Sequence, residues 1–296
     1  MKNRRSDHMD FYVSHETQSY ILRNAYIPEH IIGLMKAISG GDLGMIGDFI
    51  FYVKDNWLIF IGYPICGITN KKDLSLTTDY IDKLINAYDP DYLWAIAPEI
   101  PGELKKTADE FQSDYYYTLA TSEFNPARRL LREVEKANKT LMVTANREFT
   151  TKHKALRDEF IKSRSLHPLV ESLYKSMEKH LEKSDTAFVL NATTSDGKLC
   201  AFYCLDSGAD NFLAYIMGCH SKVCYVPHAS DLLFVEMVRI AKEMGKSIIN
   251  LGLGVNEGLK RFKMKWGGRP TIPYEFIELK RRVLYHNLLK KLESIL

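Results

Sequence analysis

The chain has 296 residues, of which 46% are apolar and 26% are charged, a composition typical of globular proteins with a sizeable core. Its formal net charge of +3 is too small to indicate a partner, although basic residues outnumber acidic ones after residue 245. No stretch reaches the ~18 uncharged apolar residues of a membrane-spanning helix, and no apolar signal segment follows the N-terminal cations. We therefore expect a cytoplasmic protein that is neither secreted nor membrane-spanning.

The first half of the chain alternates strand-like and helix-like segments. The segment "DFIFYVKDNWLIFIGYP" has two apolar runs around a turn, which predicts a β-hairpin. "LTTDYIDKLINAYDP" has apolar residues at helical spacing, so we predict a helix with Thr77 or Thr78 as N-cap and Pro90 after its end. "DYLWAIAPEIP" and "SDYYYTLATSEF" then predict two strands.

The second half repeats this order. "PARRLLREVEKANKTL" predicts a helix with Pro126 at its start, and a long helical region follows from about Thr150 to Lys183. Turns at "SDG" and "SGAD" separate three apolar runs, which indicates a β-meander. A helix with Ser230 or Asp231 as N-cap and Gly245 at its C-terminal end comes next. A strand, a short basic helix, a strand and an amphipathic C-terminal helix complete the prediction.

The order hairpin, helix, strand therefore occurs twice, near residues 48–100 and 185–252. We predict two domains, at residues 1–125 and 126–296. Both have α/β composition with α+β character, because hairpins exclude a purely parallel, doubly wound sheet.

The five cysteines are odd in number and have no CxxC spacing. Most lie in strand-like apolar runs, where a cysteine behaves as a small hydrophobe. We therefore expect reduced thiols, with neither a disulfide framework nor a metal site.

The segment "NLGLGVNEGLKRFKMKWGG" contains three glycines, Gly252, Gly254 and Gly258, between a strand and a basic helix. This order is typical of segments that bind phosphate. "GKS" at residues 245–247 is not a P-loop, because it leaves a helix and enters a strand. A dinucleotide fingerprint is disfavoured, since the third glycine comes one position late. A purely structural role for these turn glycines stays open.

The same segment resembles the C-terminal signature of a Fem-type group in the Gcn5-related N-acetyltransferase (GNAT) superfamily, and lysyltransferase domains acting on phosphatidylglycerol look similar. The resemblance covers roughly residues 126–278 and rests on "PARRLLREVEKA", "DGKLCAFYCL", "DLLFVEMVRIAKEMG" and above all "FK..WG". It implies two tandem GNAT-like domains with mixed, mainly antiparallel sheets. It also implies transfer of an acyl or aminoacyl group to an amine, with the first domain as a non-catalytic scaffold.

Members of the superfamily that use coenzyme A hold its pyrophosphate in a glycine-rich turn before a helix. At that place this chain has "VCYVPHAS", in which Pro227 has no N–H to donate. The departure favours charged tRNA as the donor, with no cofactor, and leaves acetyl-CoA or another acyl-CoA as the alternative. The alternative outside the enzymes is a protein with this fold that only binds an anionic ligand or nucleic acid.

The resemblance implies that Lys263 contacts a phosphate or the reacting carbonyl, where a cation would stabilise an oxyanion. Asn250 is a candidate for orienting a substrate carbonyl. Tyr215 is a further candidate for a catalytic role, and we expect it, with His220, near the splayed central strands where the resemblance places the substrate. The remaining candidates for binding the donor or its phosphate are Lys260, Arg261, Gly252, Gly254 and His228.

A second cationic surface follows one side of the helix after Pro126. Its members, which we call the basic stripe, are Arg128, Arg132, Lys136 and Lys139. We expect Glu133 and Glu135 to lie off this stripe, so that its charge is not cancelled locally by i,i+4 partners. Such a stripe fits an RNA backbone or an anionic lipid headgroup, which leaves a peripheral membrane contact open, and a merely solvated face is the alternative. The acceptor amine is left open among small molecules, lipids and peptides, as is the oligomeric state.

Overall fold

A computed structural model describes residues 13–67, 72–164 and 166–280. The helices are α1 (His15–Asn24), α2 (Ile32–Ser39), α3 (Lys72–Tyr88), α4 (Gly102–Thr107), α5 (Arg128–Asn138), α6 (Thr151–Lys162), α7 (Pro168–Lys183), α8 (Ala229–Glu243) and α9 (Glu257–Lys265). The strands are β1 (Asp42–Ile46), β2 (Phe49–Lys54), β3 (Trp57–Ile61), β4 (Tyr92–Ala97), β5 (Glu110–Ala120), β6 (Leu141–Asn146), β7 (Ala187–Thr194), β8 (Leu199–Asp206), β9 (Phe212–His220), β10 (Ile248–Leu253) and β11 (Arg269–Lys280).

The chain forms two compact units, each assembled from separate stretches of sequence. Of the described residues, unit 1 comprises 13–21, 39–67, 72–114 and 272–280, and unit 2 comprises 22–38, 115–164 and 166–271. The predicted domain boundary between residues 125 and 126 stays a prediction.

Unit 1 contains the strand order β1-β2-β3-β4-β11. All neighbouring pairs are antiparallel except β3 and β4, which α3 connects as a parallel pair. The last strand comes from the far end of the described chain: Glu275 of β11 lies opposite Ala97 of β4. Apolar residues of the strands and of α3, such as Phe60, Leu84 and Ile277, form the core of this unit.

Unit 2 contains the order β5-β10-β9-β8-β7-β6. Here β9 and β10 are the parallel pair, α8 connects them, and every other neighbouring pair is antiparallel. Both faces of this sheet are buried, because consecutive strand residues enter different clusters. Leu213 packs with α5 and α8, whereas Ala214 packs with α6 and α7.

The predicted hairpin, the three-strand meander and the mainly antiparallel character are confirmed. Other predictions were wrong in detail. Residues 150–183 form two helices, because Pro168 begins α7 and its fixed φ suits a first helical turn. The helix predicted from Thr77 or Thr78 begins at Lys72, five residues earlier, so neither threonine is its N-cap. The predicted C-terminal helix lies outside the described residues.

Among the residues that the structure describes, no helix is both long enough and apolar enough to cross a bilayer.

Candidate functional site

The parallel pairing of β9 and β10 stops after three residue pairs, and the last pair is Ala214 with Asn250. Both strands bulge directly beyond this point. In β9, Tyr215 lies opposite Leu205 and Met217 lies opposite Cys204, so Ile216 is an extra residue. In β10, Leu251 and Gly252 together face one residue of β5. Because a bulge bends its strand, the two strands separate here. We call this place the strand opening.

Gly252 makes the bulge of β10 possible. Its φ of +70° lies in the left-handed region that favours glycine, and its N–H donates a 2.9 Å hydrogen bond to Oδ1 of Asn250. A Cβ at this position would lie 3.5 Å from the carbonyl oxygen of Tyr215 and 4.0 Å from Nζ of Lys263. Gly252 therefore lets β9, β10 and the lysine approach one another at the strand opening.

Lys263 is a buried cation at the strand opening. It lies on α9, whose N-cap Asn256 accepts a 3.0 Å hydrogen bond from the N–H of Leu259 through its side chain. Only 4% of the Lys263 residue is exposed, its Nζ donates to the carbonyl oxygen of Leu253, and it lies 5.7 Å from the centre of the Tyr117 ring. The amphipathic α9 thus directs one of its four cations inward.

Asn250 provides a second polar group at the same place. The residue is fully buried, and its Oδ1 is held by the N–H of Gly252. Its Nδ2 has no hydrogen-bond partner in the part of the chain that the structure describes. Leaving a buried donor unsatisfied costs about 1–3 kcal/mol. The amide of Asn250 is therefore a buried hydrogen-bond donor that the described part of the chain leaves unused.

Tyr215 contributes its backbone to the strand opening more than its hydroxyl. The hydroxyl packs over Gly218, and the ring makes an edge contact with Tyr203 at 4.8 Å between centroids. Burial raises the pKa of Tyr215 well above its ordinary value of 10. The hydroxyl therefore stays protonated at neutral pH and is a poor candidate for a base.

The "FK..WGG" signature is explained by packing at the end of α9. Trp266 stacks with Phe234 at 5.5 Å and with Phe124 at 6.2 Å between ring centroids, and Phe262 meets Phe234 edge-on. A Cβ on Gly268 would lie 2.7 Å from Cδ1 of Leu251, closer than real Cβ contacts allow. The signature therefore fixes α9, and with it Lys263, against β10.

Asp231 joins α8 to α9. Its Oδ2 accepts a 2.9 Å hydrogen bond from Nδ1 of His228, while its Oδ1 accepts a 2.8 Å bond from Nε1 of Trp266 and another from Nζ of Lys265. Burial acts to raise the pKa of this carboxyl, but the hydrogen bonds from Lys265, His228 and Trp266 outweigh burial and lower it. Asp231 is therefore an ionised carboxylate that orients the helix carrying Lys263.

His228 is the N-cap residue of α8, so the predicted caps Ser230 and Asp231 were wrong. The N-cap has a left-handed φ of 65°, and its side chain spans two carboxylates. Nδ1 bonds Asp231, and Nε2 lies 3.4 Å from Oε2 of Glu133 on α5. The N-terminus of α8 is thus bordered by negative charge.

The basic stripe is only partly as predicted. All four members are exposed: Arg128, Arg132 and Lys136 lie on α5, and Lys139 is its C-cap residue. The expectation that Glu133 leaves the stripe uncompensated was wrong for one member, because Nζ of Lys136 lies 3.1 Å from Oε1 of Glu133. One turn of helix separates these two residues, which places them on the same side.

The other predicted residues lie around these features. Lys260 forms an ion pair with Glu257, Arg261 is exposed, and Gly254 is buried in the turn before α9. His220 is the last residue of β9, where its Nε2 lies 3.4 Å from Nη2 of Arg164.

Sequence reasoning missed the roles of Asp231 and Glu133. The partners of Asp231 on α9 come more than thirty residues later, so no local pattern connects them. Within residues 13–67, 72–164 and 166–280, no three His, Cys, Asp or Glu side chains are grouped to hold a metal ion.

Comparisons with known proteins support the fold but are remote in sequence. No protein-family model and no curated protein matches the chain. FemX is similar in structure with a TM-score of 0.59 at 12% identity, over 93% of this chain and 98% of that one. The C-terminal domain of a putative lysylphosphatidylglycerol synthetase from Agrobacterium fabrum has a TM-score of 0.56 at 14% identity, covering 92% and 94% of the two chains.

A GCN5-related N-acetyltransferase from Kribbella flavida has a TM-score of 0.51 at 11% identity, over 84% of this chain and 93% of that one. The chain therefore has a GNAT-like fold of the type found in FemX and lysylphosphatidylglycerol synthetase.

Proposed function

We propose that this chain, which has a GNAT-like fold, transfers an activated acyl group to an amine, and that charged tRNA is the donor. The observation that carries the proposal is the buried cation of Lys263 at the strand opening, beside the unsatisfied amide of Asn250. Both side chains border Gly252: Asn250 accepts its N–H, and a Cβ there would lie 4.0 Å from Nζ of Lys263. Two donors in this place suit a carbonyl oxygen that becomes negatively charged.

The proposed chemistry needs few groups. The acceptor amine attacks the carbonyl carbon of the donor ester, a C–N bond forms, and the carbonyl oxygen becomes an oxyanion. Nζ of Lys263 and Nδ2 of Asn250 stabilise this oxygen. When the C–O bond of the ester breaks, the leaving ribose oxygen takes up a proton and the amine loses one. No cofactor is required.

The surroundings of α8 favour tRNA over acyl-CoA. A helix N-terminus that binds pyrophosphate presents unoccupied backbone N–H groups to it. Here the carboxylates of Asp231 and Glu133 flank His228 at that end, and Pro227 contributes no N–H. Negative charge at this position opposes a pyrophosphate. By contrast, Arg128 and Arg132 are exposed and suit an RNA backbone.

Several parts of the proposal stay open to experiment. The acceptor is an amine on a small molecule, a lipid or a peptide, and a lipid acceptor would go with a peripheral membrane contact. The cytoplasmic location that charged tRNA requires is likewise a prediction.

Binding of bulk aminoacylated tRNA to the purified chain tests the donor. We expect filter retention whose affinity falls about 20- to 40-fold between about 50 and 200 mM salt, as three phosphate contacts would give. The double variant Arg128→Glu/Arg132→Glu should lose retention. The matched control Lys162→Glu/Lys179→Glu reverses two exposed cations on α6 and α7 and should retain it.

A thermal-shift assay with acetyl-CoA tests the alternative donor, an acyl-CoA. Stabilisation by acetyl-CoA without retention of tRNA would overturn the proposed donor. If charged tRNA is retained but the wild-type protein transfers its amino acid to amines no faster than the uncatalysed reaction, the chain is a binding protein and the proposed activity is wrong.

A further inference from the structure

Two thiols of unit 2 lie against each other although they are distant in sequence. Cys200 is the second residue of β8 and is buried, whereas Cys224 is partly exposed in the loop of residues 221–228 between β9 and α8. Their Sγ atoms are 2.7 Å apart. The two cysteines are free thiols, and no spacing in the sequence indicated that they lie together.

A defined turn brings the two thiols together. The N–H of Ser221 donates a 2.8 Å hydrogen bond to the carbonyl oxygen of Cys200, which ties the start of the loop to β8. Oγ of Ser221 in turn accepts a 2.9 Å bond from the N–H of Cys224. The carboxylate of Glu159 on α6 accepts bonds from Ser221 and from the N–H of Lys222. The position of Cys224 over Cys200 is thus set by the backbone as well as by the sulfurs.

We propose that Cys200 and Cys224 are a modification site that a hydroperoxide converts to a reversible disulfide. A disulfide bond is about 2.05 Å long, so the two sulfurs need to move only about 0.7 Å closer. The inference uses the thiols and the loop alone, and does not depend on the proposed transfer activity.

The partly exposed thiol reacts first. The thiolate of Cys224 attacks one oxygen of the peroxide, an S–O bond forms, the O–O bond breaks, and the departing oxygen takes up a proton and leaves as water from hydrogen peroxide or as an alcohol from an organic hydroperoxide. Cys200 then attacks the sulfenic sulfur of Cys224. The S–S bond forms, the S–O bond breaks, and the hydroxyl leaves as water with the proton of Cys200. Two thiols are oxidised and one hydroperoxide is reduced.

The difference between the two thiols supports this order. Burial, together with the adjacent Cys224, raises the pKa of Cys200 to about 12, so Cys200 remains a thiol until the sulfenic acid forms beside it. Its S–H is directed at the carbonyl oxygen of Lys198 at 3.7 Å. Cys224 is the thiol that solvent and small oxidants can reach.

The disulfide would fasten the loop to β8 by a covalent bond. That loop ends at His228, which contacts Asp231 and Glu133 and is the N-cap of α8. Oxidation would therefore restrict the segment that leads to the helix N-terminus, and reduction would release it.

The test is chemical and uses the full chain. The reduced protein is treated with hydrogen peroxide, denatured, alkylated and digested, and its peptides are identified by mass. We expect the loss of two alkylatable thiols and of the mass of two hydrogen atoms. One cross-linked pair of peptides should contain Cys200 and Cys224, and dithiothreitol should restore both thiols.

Variants make the result specific. Cys224→Ser changes a partly exposed residue and should abolish the cross-link, whereas the matched control Cys219→Ala, at a buried thiol of the same unit, should retain it. A cross-link that joins other cysteines, or a wild-type Cys224 that advances to sulfinic acid without joining Cys200, would overturn the inference. Because the wild-type peptide map identifies the linkage directly, the test stands even where a variant fails to fold.

Discussion

Replacing Asp231 by asparagine keeps the shape of the side chain and removes its charge. The carboxylate accepts hydrogen bonds from Trp266, Lys265 and His228, and it is only 8% exposed. A hydrogen bond to a charged group contributes about 1.5–3 kcal/mol, against about 0.5–1.5 kcal/mol for a neutral one. Three such exchanges would lower the free energy of unfolding by about 3 kcal/mol.

Solvent reduces this figure. The side chain of Lys265 is 35% exposed, so its share is screened, and we expect a loss of about 2–3 kcal/mol for Asp231→Asn at pH 7. The loss should appear as a lower urea midpoint with an unchanged slope.

The dependence on pH follows from the lowered pKa of Asp231. A carboxyl whose pKa is lower in the folded state stabilises the protein above its unfolded pKa of about 3.9, and the stabilisation is lost as the pH falls through the folded value. The difference between wild type and Asp231→Asn should therefore be constant above about pH 5 and shrink in acid.

Glu236→Gln is the matched control. Glu236 lies on the same helix and pairs with Arg239 at a partly exposed position. Its replacement should leave the midpoint near that of the wild type. Equal midpoints for Asp231→Asn and Glu236→Gln would show that Asp231 does not join α8 to α9, and would refute the reasoning.

Three further predictions concern single side chains. Lys263→Met should reduce transfer about 10²- to 10³-fold, because one donor to the oxyanion is lost, while tRNA retention remains; equal loss of retention would place Lys263 in binding alone. Asn250→Ala should reduce the rate of transfer about 10²-fold when a single turnover of charged tRNA is measured, and an unchanged rate would exclude the amide from the site. Burial, partly offset by a hydrogen bond from Tyr116, raises the pKa of Glu29 from 4.5 to about 6. A carboxyl whose pKa is raised on folding stabilises the protein fully below the unfolded value, and this stability is lost as the pH rises through the folded one. We therefore expect the wild type to lose about 1.6 kcal/mol relative to Glu29→Gln between pH 4.5 and 7, and parallel urea curves for the two proteins would contradict this.

Local chemistry explains what the sequence made predictable. The hairpin of β2 and β3 and the meander of β7 to β9 follow from alternating apolar residues and short polar turns, which need no distant partner. The break between α6 and α7 also had a local signal, because Pro168 disfavours helix in the residue before it.

The parts that escaped prediction depend on distant partners. Asp231 acquires its role from Trp266 and Lys265, and Cys200 meets Cys224 only after β9 returns beside β8. The left-handed N-cap residue His228 is held by side chains on α5 and α8, whereas the local sequence favoured Ser230 or Asp231 as the N-cap. Positions whose conformation is fixed by tertiary contacts carry little local signal.

The late arrival of β11 has a consequence for synthesis in the cell. Because Glu275 pairs with Ala97, roughly 180 residues must be translated after β4 before its partner exists, which takes about 9–36 s at common elongation rates. Throughout that interval a nascent chain exposes one unpaired edge of β4, whose apolar strand can pair with neighbouring chains on the same messenger RNA. A chaperone that shields this edge should therefore increase the amount of soluble protein that a cell accumulates. Wider spacing of ribosomes on the messenger RNA at low expression should have the same effect.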